Sequence, residues 1–200
     1  GSYEHTFRMP TATEMFGDGL FISPNPDLGP EQSNNLNFGA AYDLRVKDQH
    51  FFSLGSSFIY RNAKDLIYQV VTVASPQTRF SNLSKTRTLG VEGNFNYQWD
   101  DFFELGGNIT YQEITDQADF VYNESYTNTG YQKNYQKGFR LPNTPYLFGS
   151  ANAGFNFNDV VVEESLLNLV YRYNYVEEYF LSWAELGSKD SKKVIPGQSS

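Results

Sequence analysis

Residues 7–42 read FRMPTATEMFGDGLFISPNPDLGPEQSNNLNFGAAY, and a change of character inside this stretch decides the fold. Up to Ser33 the chain is punctuated by Pro10, Pro24, Pro26, Pro30, Gly17, Gly19 and Gly29, which hold it in turns. From Asn34 it alternates instead. Leu36, Phe38, Ala40, Tyr42, Leu44 and Val46 occupy even positions; Asn35, Asn37, Gly39, Ala41, Asp43 and Arg45 occupy odd ones. A period of two puts each set on its own face of a β-strand. The strand has one apolar face and one small or polar face, and it exceeds the usual length of about five to six residues.

The same plan recurs twice more. Hairpins are expected over 34–62, 88–115 and 145–179, with short turns at 47–50, 100–101 and 158–164. Residues 1–33 read as a loop, with the end of an earlier strand at 3–8 and one helical turn at 11–16. Segments 63–87, 116–144 and 180 onward are long and polar, and they fall on every second connection, so they leave one end of the sheet. Long loops at one end and short turns at the other is the arrangement of a membrane barrel. The expected fold is therefore all-β: an antiparallel up-and-down meander of about six long strands of a transmembrane β-barrel. Tyr97, Trp99, Phe102 and Phe103 cluster at a short turn, where an interfacial aromatic girdle sits. Alternation alone leaves a rival open: a soluble β-sandwich whose apolar faces meet each other, serving as a carbohydrate-binding module.

Composition narrows the classes. Aromatic residues make up 17% and charged residues 19%, a mix that favours strands over helices. A net charge of −8 argues against nucleic acid as a partner. With no cysteine, disulfides and thiolate chemistry are excluded. No apolar run reaches the length of a membrane-crossing helix or a signal peptide. The mean hydropathy of −0.52 does not bear on a barrel, whose strands alternate.

No catalytic constellation stands out. His5 and His50, the only histidines, read as exposed leader and turn residues. Neither a GxSxG elbow, a phosphate loop nor a His-x-x-x-His pair occurs. Asp100 and Asp101 sit in a turn, and Asp116, Asp119 and Glu124 match no calcium-loop spacing. An enzyme, a cofactor and a bound metal are not expected.

Two runs resemble a known family. FRMPTATEMFG, through Phe7, Arg8, Pro10, Thr11, Glu14 and Phe16, is similar to a run in the barrels of TonB-dependent outer-membrane receptors. NPDLGPEQS, through Asn25, Pro26, Leu28, Pro30, Glu31 and Ser33, is similar to a second such run. The stretches 80–99 and 141–157 also resemble strand entries of that family. The resemblance implies a fragment of the C-terminal part of a barrel of about 22 strands, lacking the plug, the TonB-box and the last strands. It implies active import of a scarce solute (siderophore, haem, cobalamin or glycan) in the bacterial outer membrane, with TonB-supplied energy. The partners would be the TonB complex acting through the plug, the outer-membrane lipid and the solute. On this reading Asn37, Arg45, Arg61, Glu92, Asn94, Asn96, Glu104, Asn108 and Arg172 face the lumen. Tyr122, Tyr126, Tyr131 and Tyr135, in a loop, become candidates for stacking on the solute.

Overall fold

Strands rich in aromatic and β-branched residues form one antiparallel meander in a computed structural model, which describes residues 1–71, 77–125, 128–160, 162, 165–181 and 194–200. Side chains at 71, 122–125 and 128–129 lie outside that description. In chain order the elements are β1 (Ser2–Arg8), α1 (Ala12–Phe16), β2 (Ile22–Ser23), β3 (Glu31–Val46), β4 (His50–Val71) and β5 (Thr78–Trp99). They continue with β6 (Phe103–Asp116), β7 (Phe120–Ser125), β8 (Asn128–Lys133), β9 (Leu147–Asn158), β10 (Leu166–Val176), β11 (Tyr179–Phe180), β12 (Val194–Ile195) and β13 (Gln198–Ser199). The main sheet runs β1-β3-β4-β5-β6-β9-β10-β13, with β2 joined in parallel to the start of β5. Strands β1 and β13 end that order, so the sheet is open.

Register carries the alternation unbroken across the meander. Phe38 pairs with Phe58, Phe58 with Val91, Val91 with Tyr111 and Tyr111 with Leu147. The apolar residues of all six long strands therefore share one face. From His50 to Tyr60, ten residues at about 3.3 Å each, tilted by about 40°, rise roughly 25 Å, the height of a lipid-facing band. No second layer covers it among the described residues. Phe38 is 65% exposed and Ile109 57%. The buried apolar side chains (Leu28, Ala63, Ile67, Ala118 and Leu141) all lie outside the band. This removes the sandwich alternative, which needs a facing sheet.

The short turns close as their residues allow. Lys47 and Asp48 both take positive φ, 54° and 52°, the primed turn geometry that follows strand twist. The 63–87 segment differs from its reading as a long loop. Strands β4 and β5 pair without a register shift from His50↔Trp99 to Val71↔Thr78, so the hairpin projects well past the band. Polar and apolar residues mix on both faces there, with Lys64, Lys85 and Arg87 beside Leu66 and Leu83 on one face and Thr86 beside Ala63 and Ile67 on the other. The loss of strict alternation marks a change of surroundings, not the end of the strand. Within 116–144, β7 and β8 make a small separate hairpin.

His50 also differs from expectation. It opens β4 half-buried, stacks on Tyr97 and Trp99 with centroids 6.1 and 5.8 Å away, and shares a 3.0 Å hydrogen bond with the Tyr97 hydroxyl. The girdle continues through Phe52–Tyr97 at 4.6 Å, Trp99–Phe102 at 5.7 Å and Phe103–Phe155 at 4.8 Å. Aromatic rings with one polar handle suit a membrane interface, and this row holds them at one height.

Candidate functional site

The face opposite the apolar band is mainly polar, with Phe51, Ile59, Phe148 and Val170 interspersed. Register places Asn37, Arg45, Arg61, Glu92, Asn94, Asn96, Glu104, Asn108 and Arg172 on it together. One row runs Gly55–Asn94–Asn108–Ser150–Asn174, and the next runs Asp43–Ser53–Asn96–Gly106–Asn152–Arg172. Asn108 donates to Ser150 Oγ at 2.7 Å, and Ser57 donates to Glu92 at 3.2 Å. Glycine alternates with the larger groups for a steric reason. A Cβ on Gly154 would lie 2.7 Å from Glu104 Cγ, and one on Gly55 would collide with the Asn94 amide. The polar side chains lie flat across glycines of the neighbouring strand. The result is a shallow carpet of amides and carboxylates, hydrogen-bonding groups held at the surface of a rigid sheet.

Past the band, the two loop ends fold onto this same polar face and bury it. Ser33, Ala63, Thr86 and Asp116 form one cross-strand row and are each nearly inaccessible, Thr86 at 1%. The residues of the FRMPT and NPDLGPE runs build the first cover. Thr11 caps α1 through a reciprocal capping box with Glu14, which satisfies two orphan amides. Arg8 reaches both carboxylates, Glu14 at 3.0 Å and Glu31 at 3.4 Å, and Arg61 closes on Glu31 from β4. Glu31, 2% exposed, also accepts the Ile67 amide at 3.2 Å. A carboxylate buried this deeply is tolerated because two guanidiniums and an amide compensate it.

Asparagines stitch the cover to β5. Asn25 donates to the Phe80 carbonyl at 2.7 Å and accepts from Arg79 at 3.1 Å. Asn82 accepts from the Gly29 amide at 2.8 Å and donates to its carbonyl at 3.1 Å. Burial works to raise the Glu14 carboxyl, but the Thr11 amide and the Arg8 guanidinium outweigh it and hold it below the usual range. The Asp18 carboxyl is also lowered, by the amides of Ile22, Leu20 and Phe21 that it accepts at 2.8 to 2.9 Å.

A second cover comes from residues 117–141. Asp116 accepts from the Ala118 amide at 2.8 Å and from the Asn134 side chain at 2.9 Å, while Ala118 and Leu141 are buried beside it. Lys137 pairs with Asp119 at 2.5 Å and lowers its carboxyl. These acidic residues are thus committed within the loop. Among the described residues no cluster of three metal-ligating side chains forms.

Of the four loop tyrosines, Tyr131 and Tyr135 have described side chains. Tyr122 and Tyr131 are cross-strand partners in the β7–β8 hairpin, and Tyr135 lies beyond it, 81% exposed. Tyr126 lies outside the described residues. The buried rim row, by contrast, escaped sequence reading. Its only signal was the density of matched residues between Arg8 and Ser33. A groove of about 630 Å³ has a mainly apolar lining that includes Leu54, Phe95, Ile109, Tyr173 and Tyr175.

Comparison with known proteins decides what such a sheet belongs to. The family profile "TonB dependent receptor-like, beta-barrel" matches residues 1–194. The chain belongs to the TonB-dependent receptor β-barrel family. It is 28% identical to a hemin receptor of Yersinia enterocolitica over 134 residues, 53% of this chain and 19% of that receptor. Its fold is that of the copper transporter OprC, with a TM-score of 0.61 and 16% identity over 98% of this chain and 26% of that one. The chain thus spans about a fifth to a quarter of the length of these relatives. As in this family of outer-membrane receptors and transporters, the sheet is a meander with an apolar face of membrane height. An open sheet follows from the same fact, since the covered part is an arc of the full barrel.

Proposed function

We propose that this chain is an arc of the wall and extracellular rim of an outer-membrane receptor that captures a scarce solute and imports it with TonB-supplied energy. The supporting observation is the division of one sheet into an uncovered apolar face and a mainly polar face. In a barrel, the first meets lipid and the second lines the lumen. The polar carpet of Glu92, Asn94, Asn96, Glu104, Asn108 and Arg172 then offers exchangeable hydrogen bonds to a plug and to a passing solute. The clasped segment 9–30 and the 117–141 cover narrow the extracellular mouth from the inner side. Short turns face the periplasm.

The names of the relatives point to haem and copper as solute classes. Register puts both His5 and His50 on the outward face, beside Asn34 and Trp99. This arc therefore contributes hydrogen bonds and aromatic surface to the solute, and any histidine ligand comes from elsewhere in the receptor. The exposed Tyr131 and Tyr135 supply stacking surfaces near the mouth.

The test is uptake by a strain carrying the intact receptor as sole route for a panel of ferric siderophores, haem, cobalamin, copper and oligosaccharides. One solute should support TonB-dependent growth. Replacing Glu92 and Glu104 with Lys should reduce uptake of that solute about tenfold with unchanged receptor level. Growth on every solute without the receptor, or independence from TonB, would end the proposal.

A further inference from the structure

Strand β4 contains an irregular point, and the first cover is fastened to the part of the hairpin beyond it. Lys64 pairs with Lys85 and Leu66 with Leu83, but Asp65 and Ser84 between them do not pair. Asp65 sits at a φ of 54°, a left-handed conformation that is strained for any residue but glycine. Above this point residues 66–71 and 77–83 form an arm, and the cover is stitched to it. Strand β2 pairs with Thr78 and Arg79, the Thr78 amide donates to the Phe21 carbonyl at 2.8 Å, and Asn25 holds both Arg79 and the Phe80 carbonyl. The Asn25 amide also donates to the Met15 carbonyl at 2.8 Å, which brings α1 into the same unit. Asn82 takes the amide and the carbonyl of Gly29. Because Asn82 is the cross-strand partner of Ile67, the cover closes over Ile67, which is 8% exposed.

Contacts from this unit to the rest of the wall gather at its margins. On the β3 side Glu31 accepts the Ile67 amide at 3.2 Å. On the other side the Tyr68 hydroxyl donates to the Pro142 carbonyl at 2.5 Å, joining the arm to the segment that enters β9. At the α1 end Arg8 reaches Glu14 through a partly exposed ion pair, a weak tie. Ala63 belongs to the wall below Asp65, yet it is only 2% exposed. Six residues of arm at about 3.3 Å each span about 20 Å, so a swing of about 20° moves the tip by roughly 7 Å. We propose that the arm and the 12–29 cover move as one rigid lid over the extracellular mouth, pivoting at Asp65 and held shut by the Tyr68–Pro142 hydrogen bond. One hydrogen bond suits a latch, since its loss shifts the balance between two positions without dissolving the hinge. The inference rests on the receptor reading above, which supplies the mouth, and it does not depend on the solute.

The experiment uses the intact receptor in lipid nanodiscs, freed of any other cysteine, and a charged methanethiosulfonate reagent as the probe. Ala63→Cys reports on the wall beneath the lid, and Ile67→Cys on the lid's own inner side. Removing one hydrogen bond should raise the open population about fivefold. Tyr68→Phe should therefore speed modification of the Ala63→Cys thiol about fivefold. The Ile67→Cys thiol should stay as slow as before, because its cover travels with it. Acceleration at Ile67→Cys would mean that the cover peels off the arm, and an unchanged rate at Ala63→Cys would mean that Tyr68 latches nothing. Either result overturns the proposal. Heat-modifiable gel mobility checks folding. If Ile67→Cys fails that check, hydrogen exchange at the Thr78 amide takes its place: Tyr68→Phe should leave it unchanged, and faster exchange would overturn the rigid unit. Recovery of the receptor outside the outer-membrane fraction would fail the receptor reading itself, separately from the lid, whose motion the thiol rates still report.

Discussion

Strand β4 passes through two environments without changing its partners. Between His50 and Tyr60 it turns Leu54, 55% exposed, away from the polar face, and nothing among the described residues covers it. Between Ala63 and Ile67 the same strand, paired to the same β5, is 2% and 8% exposed on the opposite face. The lower part has an unprotected apolar outside, while the upper part has a covered inside. Hydrogen-bonded pairing is common to both, so pairing does not distinguish them. What differs is the source of burial: lipid below, and the chain's own loops above. A barrel wall is thus stabilised from outside in its band and from inside at its rim.

The largest effect should come from breaking the lipid side of that contrast. Ile109→Arg puts a charge in the middle of the apolar band, where it should lower folding stability in vesicles by about 2–4 kcal/mol. The control Asn108→Arg, one residue along on the polar face, should change it by less than about 1 kcal/mol. Urea titration of the intact receptor reads both, and equal losses would dissolve the distinction between faces.

Next comes the rim. Glu31→Gln leaves Arg8 and Arg61 facing each other without their shared carboxylate. Removing one partner of a buried pair costs about 3–5 kcal/mol. Because both arginines reach solvent, about 1–3 kcal/mol is expected here. Limited proteolysis should then cut within 9–30 while the band strands stay protected. A smaller loss, about 1–2 kcal/mol, should follow Asn134→Ala, which strands an oxygen of the buried Asp116. Cleavage should shift to 117–141 and leave 9–30 intact, because the two covers share no hydrogen bond among the described residues.

The smallest effect is a pH dependence confined to the rim. The Glu14 and Asp18 carboxyls are lowered in the folded chain, so the stability they contribute is present above their ordinary values of 4.5 and 3.8. It is lost as pH falls through their lowered folded values. Amide protection factors at Leu20, Phe21 and Ile22 should therefore drop below about pH 4. Asp18→Asn should remove the dependence at those amides. Protection in the band should not follow, since its pairing involves no such carboxylate.

How much of this was legible in the sequence varies along the chain in a physically consistent way. Alternation at 34–46 specified a strand and sorted its residues onto two faces, because side-chain direction follows from backbone geometry alone. It stopped being readable at Asn62, where polar and apolar residues begin to mix on both faces, although the backbone pairing continues to Val71. The matched residues Arg8, Asn25, Leu28, Glu31 and Ser33 could be flagged but not explained. Their partners, Arg61, Arg79 and Phe80, lie some 30 to 55 positions away. His50 was misjudged for the same reason, since its ring neighbours come from the next hairpin.

The sequence by itself determined the meander, the two faces and the end at which loops gather. Each of these follows from local periodicity and from the spacing of turn residues. Only the tertiary structure decided that the apolar face meets no partner layer among the described residues and that the loops fold inward onto Ser33, Ala63, Thr86 and Asp116. Those outcomes depend on which distant strands lie side by side, and register sets that only once the whole sheet has formed.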